Sequence, residues 1–435
     1  MAPVLLYGPH QGYPPLRREL AQWLSEVYSP PTGATTMDRI CITNGASGNL
    51  ANVLIKFTDP SYTRRIFMVE PTYFLACPIF EDCGFLGKLR GVPETVQDGV
   101  DIDFLRRELE NAELDARNAC LRSGQKDEPA AKCGPCYPHV YKYVIYLVPT
   151  YSNPSGKTVS VAMRKQLVLL AREFDALLIT DDVYDFLSWQ EDTESAHDAV
   201  AKPPPRLVDI DRSLPGGSVH GNCVSNGSFS KLIGPGVRVG WAEGTPAFVS
   251  QLAEVGSSSS GGAPSHLAST FVEHMLRTQW LQHYIRDILV PTYKERYCAL
   301  MTAIADRLIP LGYAMEAKIL SGTADETSGV AGGFFTYLRL PLGLPFAKVV
   351  AAIALKDHAL RIAFGHMFTV AGDHGSVARA EADGGFAYCV RLCWAWHEAD
   401  EIQEGVLRLA AVTKDVRARV ERGEDVAAGI SIGIR

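Results

Sequence analysis

Apolar positions recur along the chain in two rhythms. Leu16, Leu20, Trp23, Leu24 and Val27 fall on one face at helical spacing, and Pro15 stands where a helix tolerates proline, in its first turn. An amphipathic helix is predicted there. Arg39–Thr43 reads as a short strand and Asn44-Gly45-Ala46-Ser47 as the turn out of it. Leu50, Val53, Leu54 and Phe57 then mark the inner face of a second helix. Ile66–Val69 is a brief continuous apolar run, hence a buried strand, and Pro71-Thr72-Tyr73 leads into another predicted helix. Tyr143–Val148 and Ala176–Thr180 repeat the buried-strand pattern, with a helix between them that Ser160 caps and that runs to Phe174. Buried strands alternating with amphipathic helices predict an α/β sandwich, three-layered, with a mostly parallel sheet.

The later chain changes character. Gly256–Gly262 is almost wholly serine and glycine and reads as a flexible turn before a long helical region, about Pro264 to Leu308. Gly332–Leu338 reads as a strand opening a second, smaller α/β domain, so the expected division is 1–308 and 309–435. Segments 118–139, 191–222 and 367–385 depart from the alternation as polar or proline-rich insertions. The first carries Cys133-Gly134-Pro135-Cys136. No second pair follows at metal-site spacing, so a surface insertion is the better reading than a zinc or redox site.

Composition narrows the class. The chain has 435 residues, 47% hydrophobic and 21% charged, with a formal charge of −7, enough for two domains and unsuited to a nucleic-acid partner held by a basic face. No apolar run is long enough to span a bilayer, and the first residues lack the pattern of a signal peptide. The 10 cysteines show no disulfide-scaffold spacing, which predicts reduced thiols and a cytoplasmic location.

The chemistry concentrates around one lysine. Gly227-Ser228-Phe229-Ser230-Lys231 is followed by Gly236-Val237-Arg238-Val239-Gly240-Trp241. A lysine that forms an imine with an aldehyde needs close backbone approach and nearby anion donors. The glycines permit the first, and Ser228, Ser230 and Arg238 can supply the second. Upstream, Asp181-Asp182-Val183-Tyr184 ends a predicted strand, where open α/β sheets bind ligands, and Tyr151-Ser152-Asn153-Pro154 follows another.

Taken in this order, the motifs resemble the class I/II aminotransferases, fold-type I enzymes that depend on pyridoxal 5'-phosphate. The resemblance runs from Tyr7 to about Thr413. It implies that Lys231 carries the cofactor as an aldimine and then moves a proton as general base and acid. Asp181 is the implied partner of the pyridine nitrogen, because a protonated ring absorbs the charge left on the substrate's α-carbon. Asn153 and Tyr184 are implied to bond the cofactor's phenolic oxygen. Tyr73 is implied to stack on the ring. Gly45, Ala46 and Ser47, at a helix start, would bind the phosphate with Ser228, Ser230 and Arg238. Arg391, in Cys389-Val390-Arg391-Leu392-Cys393, is implied to fork the substrate's α-carboxylate. Tyr7 is implied to reach the phosphate of a neighbouring subunit, which makes the expected unit a homodimer acting on an amino acid and a 2-oxo acid.

The same lysine, aspartate and arginine would also serve β- or γ-elimination, replacement or carbon–carbon bond formation, since fold alone does not select the reaction. A non-catalytic regulator would need a DNA-binding module, and no basic segment precedes Tyr7. Family members carry a longer segment before that tyrosine, so the substrate's side-chain preference is not expected from the motifs.

Overall fold

The computed structural model describes residues 5–95, 97–123, 131–191, 201–315 and 329–428. Parts of the first two predicted insertions, 124–130 and 192–200, lie outside them, as do Met1–Val4.

Helix α1, Pro14–Tyr28, buries Leu16, Leu20, Trp23 and Leu24, as its spacing requires. Strand β1 (Ile40–Thr43) turns through Gly45 into helix α2 (Ala46–Phe57). The remaining strands are β2 (Arg65–Glu70), β3 (Leu89–Pro93), β4 (Tyr143–Leu147), β5 (Ala176–Asp181), β6 (Ser188–Gln190), β7 (Cys223–Ser228), β8 (Gly240–Glu243), β9 (Ala314–Met315), β10 (Val330–Gly332), β11 (Phe335–Arg339), β12 (Ala363–Phe364) and β13 (Cys389–Cys393). The central sheet has seven strands in the order β1-β8-β7-β5-β4-β2-β3. From β7 to β3 all neighbours are parallel, and β8 alone runs against both of its partners. The reason is local. The chain passes from β7 to its neighbour β8 through only residues 229–239, too short for a parallel crossover. Lys231 lies in that connection.

Continuous apolar strands are buried on both faces. Along β2, β4 and β5 successive side chains divide between two cores. Ile66, Met68, Val144 and Ile179 join one with α2 and Phe248, while Phe67, Val69, Ile145 and Leu178 join the other with Met163 and Leu167. This period-two division is what a three-layer sandwich demands. A four-stranded antiparallel sheet, β12-β13-β11-β9, forms separately near the chain's end and packs with the helices Ala347–His358 and Ala399–Glu421.

Four sequence expectations are corrected. After Pro71 there is no single helix but a 3₁₀ turn, Phe74–Ala76, and a short helix, Cys77–Phe80. Gly256–Ser259 forms a helical turn rather than a loose linker. The helical region from Pro264 is broken at Gln279, whose φ of 57° is left-handed, so His266–Arg277 and Trp280–Tyr284 are distinct. The run Gly332–Leu338 divides at Gly333 and Phe334. Gly333 has φ 73°, and a Cβ there would lie 2.5 Å from that of Tyr151. Its two halves serve different sheets, β10 pairing with β6 and β11 with β13.

The segment 367–385 is no loose insertion. It contains the helix His374–Glu381, whose Arg379 pairs with the buried Glu70 at 2.5 Å, while Asp373 accepts from the Gly91 N–H at 2.8 Å. It is thereby fastened to the carboxyl ends of β2 and β3, beside Tyr73.

A buried charge cluster underlies the turn after β5. Arg206, 1% exposed, pairs with Glu243 at 2.8 Å and Asp209 at 2.9 Å and lies 4.0 Å from the Tyr28 ring centroid. Tyr28 in turn donates to Asp185 at 2.8 Å. Arg206→Met should lower unfolding free energy by about 3–5 kcal/mol, because buried Asp209 loses its cation and buried Glu243 keeps only the more distant Arg39, at 3.6 Å. Guanidinium titration checks this. A loss below about 1 kcal/mol would show that the cluster is not held by this arginine.

Candidate active site

β5 and β7 are parallel neighbours, with Asp181 opposite Asn226 near their carboxyl ends. The topology therefore delivers an acid and, three residues beyond β7, a lysine to one edge of the sheet. Between this edge and β11 and β13 lies a cavity of about 370 Å³, lined by Lys231, Asp181, Tyr184, Asn153, Tyr73 and Arg391 among others.

Asp181 ends β5 with its carboxyl buried. The Tyr146 hydroxyl donates to Oδ2 and the Asn226 amide to Oδ1, both at 2.5 Å. Asn49 on α2 donates to Asn226 at 2.9 Å and sets that amide's orientation. Burial pushes the Asp181 carboxyl up to about 6, against the two hydrogen bonds and the attraction of Lys231. Its sequence neighbour Asp182 takes the opposite face of the strand end and accepts from Thr180 at 2.8 Å and Ser225 at 2.5 Å. Only Asp181 of the two lines the cavity.

Lys231 closes a single 3₁₀ turn, Phe229–Lys231, whose start Ser228 caps by accepting the Ser230 N–H at 3.1 Å. Its ammonium lies 5.2 Å from the Phe334 ring centroid. Burial, and then the repulsion of Arg391, lower its pKa against Cys393 and Asp181. A desolvated lysine is more readily a free amine, the form that attacks a carbonyl.

The cavity's phosphate-sized end is the start of α2. Gly45 caps it with no side chain, so the first N–H groups remain available, and Ala46 and Ser47 line the wall. Gly45 has φ 101°, and a Cβ there would lie 2.5 Å from the Arg238 guanidinium. The left-handed φ is what requires glycine, and a side chain there would also displace the Arg238 guanidinium. Arg238 donates to the Asn44 and Pro235 carbonyls at 2.9 and 3.0 Å, and the Ser228 and Ser230 hydroxyls stand 2.9 Å apart beside it.

At the other end Arg391 is clamped between aromatic rings, 4.1 Å from the Phe335 centroid and 5.3 Å from Phe368. It donates to Asn153 Oδ1 at 2.6 Å, and its buried Nε has no partner among the described residues. Burial lowers its pKa. A desolvated guanidinium with an idle donor suits a carboxylate fork. Asn153 spends its oxygen on Arg391, which leaves its amide N–H₂ to donate into the cavity. Tyr184 and Tyr73 also line it, and burial raises the pKa of both phenols.

Tyr7 does not join this group. It is 88% exposed and does not line the cavity of its own chain. Tyr146, Asn226 and Phe335 were absent from the predicted site. The available signal was an amide and a phenol placed in otherwise apolar strands, where a polar group needs a partner.

Three cations and a helix start face one carboxylate here, so the cavity is built for a ligand with more than one negative group. A pyridoxal phosphate would suit this donor set, with α2 and Arg238 as the residues that would hold its phosphate and Asp181 the one that would meet its pyridine nitrogen.

Residues 1–310 match the family model for aminotransferase class I and II. An uncharacterized protein of Saccharomyces cerevisiae is 34% identical over 419 residues, covering 94% of this chain and 87% of that protein. Aromatic-amino-acid aminotransferase 1 of Thermococcus litoralis is 24% identical over 425 residues, covering 95% of this chain and 81% of its own. The solved multiple substrate aminotransferase of Thermococcus profundus shares the fold, with a TM-score of 0.69 at 24% identity over 96% of this chain and 85% of that one.

The raised pKa of Asp181 predicts a pH-dependent trade. Below about pH 4 the carboxyl is protonated whether the chain is folded or not, and it costs nothing. As pH rises to about 6 the folded state comes to bear a buried charge, and above that the full cost is present. In cofactor-free protein, Asp181→Asn should therefore gain stability over this window, reaching on the order of 3 kcal/mol at pH 8. Urea titrations at pH 5 and pH 8 check it. An advantage equal at both values would mean that Asp181 is not the titrating group.

Proposed function

Since the chain belongs to the aminotransferase class I and II family, we propose that the Lys231 cavity is its active site and that it moves an amino group from an amino acid to a 2-oxo acid with pyridoxal phosphate. The observation that carries this is the convergence of Lys231, Asp181, Arg391 and the uncapped start of α2 on one cavity. Pyridoxal phosphate, when bound, supplies an electron sink for the pair left as the substrate's α-carbon loses its proton.

The chain does the rest. Arg391 would bind and orient the α-carboxylate, while Lys231 Nζ would hold the cofactor and, once freed, take the α-proton and return it on the far side of the amino nitrogen, two atoms along. Asp181 keeps the proton on the pyridine nitrogen, and an opposite charge there draws its own pKa back down. Asn153 and Tyr184 would donate to the cofactor's phenolic oxygen, and Tyr73 would pack against it. Residues 1–308 would then carry the cofactor and 309–435 the carboxylate fork.

The donor's side chain is proposed to be large and apolar or aromatic. Phe74, Leu75, Ile79 and Phe335 line the cavity, and the Thermococcus litoralis relative is named for aromatic amino acids. A homodimer is proposed from the exposure of Tyr7, which would complete the partner's phosphate site. A cytoplasmic location is proposed from 10 cysteines that are all unpaired; no described helix is long and apolar enough to cross a membrane.

Borohydride reduction followed by peptide mapping should find the pyridoxyl adduct on Lys231, and an adduct on another lysine would refute the site. Arg391→Ala should retain the cofactor but weaken an amino acid's reaction by about 2–5 kcal/mol, and far less that of the amine lacking its carboxylate. Equal loss for both would make Arg391 structural. For the dimer, Tyr7→Ala in sedimentation and cofactor titration should leave association intact and weaken cofactor retention. Unchanged retention would place Tyr7 outside any site.

A further inference from the structure

At the amino ends of β1 and β7, away from Lys231, lies a polar hollow of about 250 Å³, lined by Arg39, Asp211, Arg212, Ser218, Cys223 and Thr245 among others. Arg39 ends the turn before β1, Cys223 opens β7 and Thr245 follows β8. Strand β7 runs from this hollow to the Lys231 cavity, where Ser228 stands roughly 17 Å from Cys223. No residue lines both.

Arg39 is 7% exposed, yet among the described residues its guanidinium makes no hydrogen bond, and its buried Nε has no partner. Its carboxylate contact is Glu243, at 3.6 Å, too far for a hydrogen bond. Glu243 is already engaged by Arg206 at 2.8 Å and by the Thr35 hydroxyl, which donates to Oε1 at 3.2 Å. A buried guanidinium ordinarily spends its donors. Arg172 does so nearby, on Asp211 Oδ1 at 2.9 Å and on the Pro215 and Leu214 carbonyls. Asp211 is spent as well, since its Oδ2 accepts the Asn222 N–H at 3.0 Å. Arg212 has no acid among the described residues and donates only to the Thr32 and Ala34 carbonyls, at 3.1 and 3.4 Å. Burial lowers the Arg39 pKa, which the attraction of Glu243 opposes and the repulsion of Arg212 reinforces. In this cluster Arg39, Arg172, Arg206 and Arg212 meet only Asp209, Asp211 and Glu243, so one positive charge is left over.

We propose that this hollow is a second anion site, which binds a phosphate group, free or at the end of a small ester, between Arg39 and Arg212. The charge of a phosphate offsets the surplus cation. Its several oxygens can take the idle donors of Arg39, those of Arg212 and the hydroxyls of Ser218 and Thr245 together, which a planar carboxylate with two oxygens cannot. Thr245 Oγ1 caps the helix Pro246–Ala253 by accepting the Phe248 N–H at 3.1 Å, so its own hydrogen is left to donate, and the positive end of that helix adds to the field. The site shares no residue with the Lys231 cavity and does not depend on the aminotransferase reading.

The test is calorimetric titration of inorganic phosphate into the protein purified with its cofactor, in a buffer of low salt. The unsubstituted protein should bind phosphate saturably, with a Kd of about 1 mM or below. Arg212→Gln should weaken binding about tenfold or more, and Arg212→Lys less, because a point charge keeps the attraction without the planar fork. Arg39→Gln should abolish binding. Melting temperatures are read beside each titration so that only folded protein is scored, and Arg212→Gln decides alone if Arg39→Gln does not fold. Glycerol 3-phosphate separates the two sources of the group: tighter binding than inorganic phosphate assigns a small ester, and weaker binding assigns the free ion. Three results overturn the proposal: no saturable binding, binding unchanged by Arg212→Gln, or binding lost instead with Arg238→Gln, which would place the phosphate at the start of α2. A failure of the lysine mapping would sink the aminotransferase site, whereas the phosphate titration decides this hollow on its own.

Discussion

Everything in the site leans on one buried carboxylate. Asp181 could not remain charged inside the sandwich without donors, and the fold supplies them from two different strands and a helix: Tyr146 from β4, Asn226 from β7 and, behind Asn226, Asn49 from α2. The parallel pairing of β5 with β7 puts Asn226 opposite Asp181 in the ladder, so the hydrogen bond follows from sheet register rather than from loop geometry. Even so, burial outweighs the donors and the carboxyl stays up at about 6. The charge is therefore held at a cost that a cationic ring nitrogen would offset, and the apoprotein carries a destabilisation whose relief depends on the ligand.

The cations complete this asymmetry. Lys231 and Arg391 are both desolvated, and each depresses the pKa of the lysine by its burial or its charge. Aromatic faces stand where carboxylates would otherwise neutralise them: Phe334 beside Lys231, Phe335 and Phe368 around Arg391. A ring attracts a cation weakly and cannot take a proton, so both groups stay in place without being spent on an internal ion pair. Where the protein wants a cation only for stability it does the reverse, as with Arg206, which is saturated by Glu243 and Asp209. The contrast between paired and unpaired arginines separates scaffold from site.

The second sheet is coupled to this chemistry through a few fastenings. β10 pairs with β6 just beyond the Tyr184 turn, and Arg391 reaches across to Asn153. The helix His374–Glu381 locks onto β2 and β3 through Glu70 and Gly91. These contacts tie Arg391, Asn153 and the segment bearing Tyr73 to the central sheet.

Much of this was legible before any coordinates. The alternation of buried runs and amphipathic stretches determined the sandwich, because only strands covered on both faces are continuously apolar, and the divided cores along β2, β4 and β5 are its direct consequence. The small residues around Lys231 and the acid at the end of a strand were equally visible, since glycine and serine placed beside a lysine mark a backbone that must come close to a ligand. Local breaks were not visible. The left-handed turn at Gln279 and the division at Gly333 come from packing against distant residues such as Tyr151, which no window of sequence contains. Nor could the chain itself choose between Asp181 and Asp182 on electrostatic grounds; the strand's pleat sends one into the cavity and the other into the core. Tyr146 and Asn226 acquire meaning only through register across strands far apart in sequence, because a hydrogen bond depends on distance in space and the sequence records only distance along the chain.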